Sequence, residues 1–211
     1  MWDPRDDLDP DQREKLEAFG TLLAAFNRNV NLVSRETIDR LDERHLVHVL
    51  ALAHRAFPPG SVVVDWGTGG GLPAIPLAIR FPDVTFHAVD AVAKKAHAVR
   101  TMARRLGLKN LTVWHERAEK WPEKAHYSVS RATAPLVDLW RWHRAARLPL
   151  NVDPGPGVWS PGLVCLKGGD LNEEIDVLRQ AFPGVRVDLL ALGPMLERTY
   201  FEGKYIVSVV D

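Results

Sequence analysis

The stretch from Ser61 to Asp90, SVVVDWGTGGGLPAIPLAIRFPDVTFHAVD, constrains the fold of this chain more tightly than any other part of it. Ser61 to Val64 is rich in β-branched residues and has no helical period, so it predicts a buried strand, and Leu72 to Phe81 predicts the helix packed behind it. Gly67, Gly69, Gly70 and Gly71 fill the turn between the two. Without Cβ atoms the backbone there can turn sharply at positive φ, and a ligand can lie directly on it. Pro73 suits the first turn of the helix, where its missing N–H costs nothing. Val84 to Val89 predicts a second strand, closed by Asp90.

Dinucleotide-binding and S-adenosylmethionine-binding folds both use a glycine-rich strand, turn and helix. Two details separate them. A nicotinamide or flavin fingerprint has the spacing G-x-G-x-x-G, whereas position 72 is leucine and the third glycine falls one residue early, at Gly71. Asp65, two residues before the first glycine, would repel a pyrophosphate but suits the ammonium and sulfonium charges of S-adenosylmethionine. Asp90 stands where doubly wound folds place the acid that hydrogen-bonds ribose hydroxyls; the alternative is an aspartate in a surface turn.

With 211 residues, 46% of them hydrophobic, the chain can bury a full core in one unit. The expected organisation is a helical N-terminal extension over residues 1–60 packed on a catalytic core over 61–211. Cys165 is the lone cysteine, which excludes an intramolecular disulfide and fits a reducing compartment. The N-terminus is acidic without an apolar core, and no apolar run reaches membrane-spanning length, so the cytoplasm is the expected location and no membrane the expected partner. Formal net charge is zero but uneven: Met1 to Gly60 holds 8 Lys/Arg and 11 Asp/Glu, Asp90 to Arg147 13 and 5. A basic block on a neutral protein reads either as a phosphate-binding face or as solvated helix surface.

Asp11 to Phe26 and His45 to Phe57 carry apolar residues at helical spacing. Between them the polar FNRNVNLVSRETIDRLDERH predicts an exposed loop over the pocket, with Ser34 as a candidate N-cap. After Asp90 the pattern predicts a helix over Ala93 to Leu106, strands at Leu111 to His115 and His126 to Ser130, and a helix bearing Trp140 and Trp142. Pro149 to Gly162 reads as a flexible surface loop. A strand at Leu163 to Leu166, a helix from Leu171 and strands at Val185 to Leu190 and Lys204 to Val210 complete the chain. Alternating strands and helices give an α/β doubly wound sheet. Two closing strands without a helix between them imply an antiparallel last strand, as in class I methyltransferases. Trp140 and Trp142 could stack on bases, but one in the core and one on the surface is the expected arrangement.

NRNVNLVSR, ERHLVHVLAL, VVDWGTGGGLPAIPLAI, VDAVAKKAHAV, ERAEKW, VSRATAPL and LKGGDL stand in the order and spacing of the RsmG/GidB-type ribosomal RNA small-subunit methyltransferases, which the chain resembles over roughly residues 10 to 210. The resemblance implies methyl transfer from S-adenosylmethionine to guanine N7 in the 530 loop of 16S rRNA. It implies cofactor contacts at Gly67, Leu72, Ala118, Glu119 and Arg131, joining Asp65, Gly69, Gly71 and Asp90 from the turn and strand ends. Arg131, Lys94 and Lys167 become the candidate catalytic residues, and Asn31, Arg35, His45, Lys94, Lys95 and Lys167 the candidate RNA contacts. For each lysine a plain helix-end or loop charge is the competing reading. Three departures stand out: HLVHV where many members read HLLDS, so that His48 replaces an acid; Ala74 for a usual glycine; and Ala91 after Asp90 for a frequent serine.

The absent motifs narrow the chemistry. A carbon-5 pyrimidine methyltransferase needs a nucleophilic cysteine, and Cys165 in LVCLKGG reads as a buried hydrophobe. An exocyclic-amine methyltransferase would show an Asp/Asn-Pro-Pro-aromatic motif where this chain reads Ser130-Arg131-Ala132. The eight histidines sit at no metal-ligand spacing, so no metal is expected. A small-molecule or protein methyltransferase and a non-catalytic cofactor- or RNA-binding module remain as alternatives, a dehydrogenase as a distant one, and a monomer is the simplest assembly.

Overall fold

In a computed structural model, residues 2–34, 40–131, 133–149 and 155–211 are described. Arg35, one of the candidate RNA contacts, lies outside them, as do the residues just after Ser34 that would test it as an N-cap.

Seven strands form one sheet: β1 (Val62–Trp66), β2 (Thr85–Asp90), β3 (Leu111–His115), β4 (Tyr127–Arg131), β5 (Gly162–Gly168), β6 (Arg186–Ala191) and β7 (Lys204–Val210). Their order is β3-β2-β1-β4-β5-β7-β6, parallel from β3 to β5, with β7 antiparallel to both of its neighbours. This is the doubly wound class I methyltransferase arrangement, and the last strand is reversed as expected, although the connection before it holds a five-residue helix, Leu192–Leu196, where the sequence predicts none. The chain winds outward from β1 through β3 and restarts on the other side at β4. The switch point between β1 and β4 is where such sheets open a ligand crevice.

Side chains alternate across the sheet with the strand period of two. Val63, Val164, Leu166 and Ile206 join one buried cluster, and Val64, Trp66, Leu163, Cys165, Val207 and Val209 join the other. The first is covered by α1 (Pro10–Asn27), α3 (Ala74–Arg80) and α4 (Ala93–Arg105), the second by α5 (Leu136–Ala146) and α6 (Asn172–Ala181). α1 opens on a full capping box: the Asp9 side chain accepts from Gln12 N, the Gln12 side chain accepts from Asp9 N, and Pro10 fills the first position. It buries Leu16, Phe19 and Leu23 in the same cluster as Val63, so the first sixty residues and the sheet share one core.

The helix expected over His45 to Phe57 is present in an irregular form: a π-helix Asp42–Val47, one turn of α-helix His48–Leu50 (α2) and a 3-10 turn Ala51–His54. Single π turns are rare, and they often occur at functional sites. The short α7 (Leu192–Leu196) and the 3-10 turn Thr199–Phe201, which fill the connection between β6 and β7, carry no periodic signal in the sequence. No helix among the described residues is long and apolar enough to cross a membrane.

The second half of the Pro149 to Gly162 segment corrects the expectation of a flexible loop. Trp159 is fully buried, its Nε1 donates to Leu52 O (2.8 Å), its carbonyl accepts from Tyr127 Oη (3.0 Å) and Arg55 covers its ring. A proline- and glycine-rich sequence marks irregular backbone, and a single large aromatic can still pin such backbone to the core. Trp159→Ala should therefore cost about 3–5 kcal/mol of unfolding free energy, measurable as a lowered urea midpoint at unchanged slope. A loss below about 1 kcal/mol would return the segment to the surface.

Candidate active site

β1 ends at Trp66 and the chain enters the glycine turn, where Gly67 N and Thr68 N both donate to Val89 O at the end of β2. Gly71 N and Leu72 N close back on Thr68 O. Gly67 has φ +69°, and a Cβ built on it would lie 2.2 Å from Thr133 Cγ2, so both the backbone and the neighbouring loop require glycine there. Pro73 sits at the cap just before α3, one position earlier than a first-turn proline.

Two carboxylates hold this turn from below and from the side. Asp65 is completely buried; its Oδ2 accepts from Ala74 N (3.1 Å) at the start of α3. Burial raises its pKa to about 7, while the nearby Thr68 hydroxyl favours the ionised form without completing a hydrogen bond to it. Asp90 accepts from Gly69 N (2.9 Å) with Oδ2 and from Val92 N (2.8 Å) with Oδ1.

Above the turn lies a cleft of about 640 Å³ lined by Gly67, Gly69, Leu72, Asp90, Lys95 and Arg131, with Leu32, Val33 and Ser34 along one wall. Of the loop between α1 and the π-helix, the described residues Leu32, Val33 and Ser34 reach the cleft, Leu32 and Val33 being buried where an exposed loop was expected. A second cavity of about 160 Å³ shares Gly67, Asp90 and Thr133 with the first and ends on Ala118, Glu119 and Trp142. Most of the expected cofactor residues therefore line one continuous depression at the β1/β4 switch point. Gly71 and Asp65 lie beneath it and line neither cavity: Gly71 (φ +84°) packs on Ile75, and Asp65 anchors the helix start. Asp65 can act on a bound cation through its field and through the turn it supports.

Arg131 closes β4 at the inner end of the larger cavity, its Nη1 2.8 Å from His45 Nδ1. A guanidinium only donates, so His45 accepts on Nδ1 and carries its proton on Nε2. Burial, followed by the charges of Arg131 and Arg44, pushes His45 down to about 4. His48, one turn on, is pushed down to about 3 by burial, Arg131 and Lys204, and its buried Nε2 has no hydrogen-bond partner. Both rings are neutral at physiological pH, so His48 does not reproduce the charge of the acid it replaces. His45, expected to touch RNA, lines the cleft and is mostly buried against Arg131.

The lysines divide. Lys95 lines the cleft, whereas Lys94 is exposed on the first turn of α4 outside both cavities. Lys167, expected as a catalytic and RNA-contacting residue, lines neither cavity: its Nζ donates to Glu174 Oε1 (2.6 Å) and to Ala134 O (2.7 Å), and Glu174 also accepts from Leu136 N. It ties the loop after Arg131 to α6 and so positions that loop. Asn31 is exposed and does not line the cleft. Cys165 is fully buried and its thiol pushed up to about 12, as suits a packing residue. Trp140 is in the core, stacked on His143, while Trp142 is half-buried on the smaller cavity, not on open surface. No cluster of three metal-ligating side chains occurs among the described residues.

Arg44, Thr133 and Tyr200 also line the cleft and escape any reading of the sequence. Thr133 donates to Gly67 O (3.3 Å), bridging the loop after β4 to the turn after β1. Tyr200 comes from the aperiodic segment before β7, and only the folding of the sheet brings it beside Arg44.

The family model for GidB, rRNA small subunit methyltransferase G, matches residues 12–182. The chain belongs to this family. A ribosomal RNA small subunit methyltransferase G from Salinibacter ruber is 53% identical over 209 residues, covering 99% of this chain and 97% of that one, and a Cytophaga hutchinsonii protein of the same name is 38% identical over 203 residues, covering 96% and 94%. Among solved structures, a SAM-dependent methyltransferase from Aquifex aeolicus superposes with a TM-score of 0.56 at 16% identity, covering 85% of this chain and 100% of that one. An Aeropyrum pernix fibrillarin with bound S-adenosyl-L-methionine gives 0.55 at 14% identity, covering 77% and 73%. At such identities these two speak for the fold.

Opposite pH dependences follow from the buried groups. Asp65 has its folded pKa raised above the unfolded value, so its contribution to stability is complete below about pH 4 and is lost as pH rises through about 7. His45 and His48 have theirs lowered, so their contribution is complete above about pH 6.5 and is lost as pH falls towards 4. Relative to wild type, Asp65→Asn should gain stability between pH 5 and 8, and His48→Gln should flatten the acid side of the profile. Denaturation midpoints of the three proteins across that range test this; parallel profiles would contradict it.

Proposed function

We propose that this protein transfers a methyl group from S-adenosylmethionine to N7 of a guanine in the 530 loop of 16S rRNA. The observation that carries the reading is the continuous depression across the β1/β4 switch point, with Glu119 at one end, Asp90 in the middle and Arg131 at the other. Its donor set fits the cofactor. Glu119 can accept from an adenine amino group beside Ala118, and Asp90 keeps lone pairs free for ribose hydroxyls beyond the two backbone bonds that it accepts. The turn at Gly67 allows close approach, and Asp65 beneath it favours positive over phosphorylated ligands when ionised.

S-adenosylmethionine, when bound, supplies an activated methyl group on a sulfonium centre. Guanine N7 offers a lone pair and has no proton to lose, so the residues around it need not include a base. They hold the acceptor in line and balance charge, and positioning supplies most of the acceleration. Arg131, held by His45, is the natural donor to guanine O6. Lys95 faces the cleft, with Lys94 and Asn31 outside it as further RNA contacts, and Lys167 acts on the loop after Arg131. The same reading assigns the protein to the cytoplasm, working as a monomer on the small ribosomal subunit.

Small subunits lacking the modification should accept radiolabelled methyl, and N7-methylguanosine-specific strand scission should cut at one guanine in the 530 loop. Arg131→Ala should lower kcat/KM by about a hundredfold or more. Cofactor binding without RNA labelling would overturn the RNA assignment, and undiminished turnover by Arg131→Ala would remove that residue from the site.

A further inference from the structure

At the end of the cleft beyond Arg131, the π-helix faces the 3-10 turn before β7 across Tyr200. Arg44 Cζ lies 5.0 Å from the centre of the Tyr200 ring, and Lys204 Nζ lies 4.0 Å from it while also donating to Tyr200 O (2.6 Å). Arg44 and Tyr200 line the cavity together with His48 and Arg131. Arg44 makes no ion pair among the described residues, and its Nε is buried without a hydrogen-bond partner, as is the Nε2 of His48.

Among the described residues, the charged groups acting on His45 and His48 have one sign. Burial, helped by the charges of Arg44, Arg131 and Lys204, keeps both rings neutral. The carboxylate that favours Arg131 is Asp65, which burial leaves only partly ionised near neutral pH. A cation held on an aromatic face, with no carboxylate partner among the described residues, is an arrangement that an anion completes.

We propose that Arg44, braced on the Tyr200 ring, forms a seat for a phosphodiester group of the acceptor strand, next to the nucleotide that reaches Arg131. This deepens the RNA reading of the same cleft and rests on it. Arg44 supplies the planar fork that pairs two phosphate oxygens through its terminal nitrogens, and Tyr200 holds that fork in place. Neutral His48 fits the seat because a carboxylate at that position would repel the phosphate. The favoured ligand is a nucleotide phosphate on single-stranded RNA, not a second base, since cations already cover the Tyr200 ring.

The test is the salt dependence of binding of a short single-stranded RNA containing the 530-loop sequence to the full chain with S-adenosylhomocysteine present. Loss of one phosphate contact reduces the slope of log K against log salt by about 0.7. Arg44→Gln should show that reduction and about tenfold weaker binding at low salt, whereas Arg44→Lys, which keeps the charge, should retain the slope. S-adenosylhomocysteine titration of each variant verifies that the fold is intact. An unchanged slope in Arg44→Gln, alongside subunits that the wild type still methylates, would overturn the phosphate seat and leave the RNA reading standing. Failure of the wild type to bind or methylate RNA would remove both.

Discussion

Two carboxylates accept backbone N–H groups from the glycine turn, and the cleft exists because they do. Asp65 takes the N–H of Ala74 and Asp90 takes that of Gly69, so the chain between β1 and α3 is held at both ends by groups from adjacent parallel strands. Each bond is charge-assisted when its carboxylate is ionised and is made from inside or at the edge of the core, where leaving the N–H unpaired would cost more than the bond itself contributes. The turn is thereby fixed before any ligand arrives, and a preorganised site does not have to be ordered on binding.

The rest of the site follows from the switch point. β1 and β4 are neighbours, so the loops that leave their C-terminal ends diverge and expose Gly67 and Arg131 to the same space. Thr133 and the Lys167–Glu174 pair hold the β4 loop against the turn and against α6. The N-terminal helices complete the enclosure. The π-helix aims His45 at Arg131 and places Arg44 over Tyr200, so one wall of the acceptor end comes from residues before the sheet and the other from its last connection. The first residues brace both walls: Asp3 pairs with Arg5 and Arg198, and Arg5 also pairs with Asp42.

What the sequence made legible is what depends on local chemistry. Val63 and Val64 point to opposite faces, the glycines admit positive φ, and Asp90 ends its strand, each for reasons contained in a few residues. The reversal of the last strand could be read because no helical period marks the segment between the two closing strands, and the five-residue helix there is too short to be a crossover. The errors came where partners are distant. Lys167 carries the same charge whether it meets RNA or Glu174, and only the packing of α6 decides. Trp159 looks like loop composition until Leu52 and Tyr127 reach it, and Tyr200 has no period to betray it. The spacing of Asp65 from Gly67 speaks of a nearby charge, and only the packing of β1 shows that the carboxylate lies beneath the turn, accepting from Ala74 N.

The central claim is that the turn at Gly67 is the seat of the cofactor, and its most direct test is equilibrium binding of S-adenosylhomocysteine to Gly67→Ala beside the wild type. A Cβ at φ +69° and 2.2 Å from Thr133 must displace either the turn or the loop that bridges it. The account predicts a folded variant whose affinity falls by about tenfold or more, a difference of at least about 1.4 kcal/mol. Equal affinities for the two proteins would place the cofactor elsewhere and contradict the account.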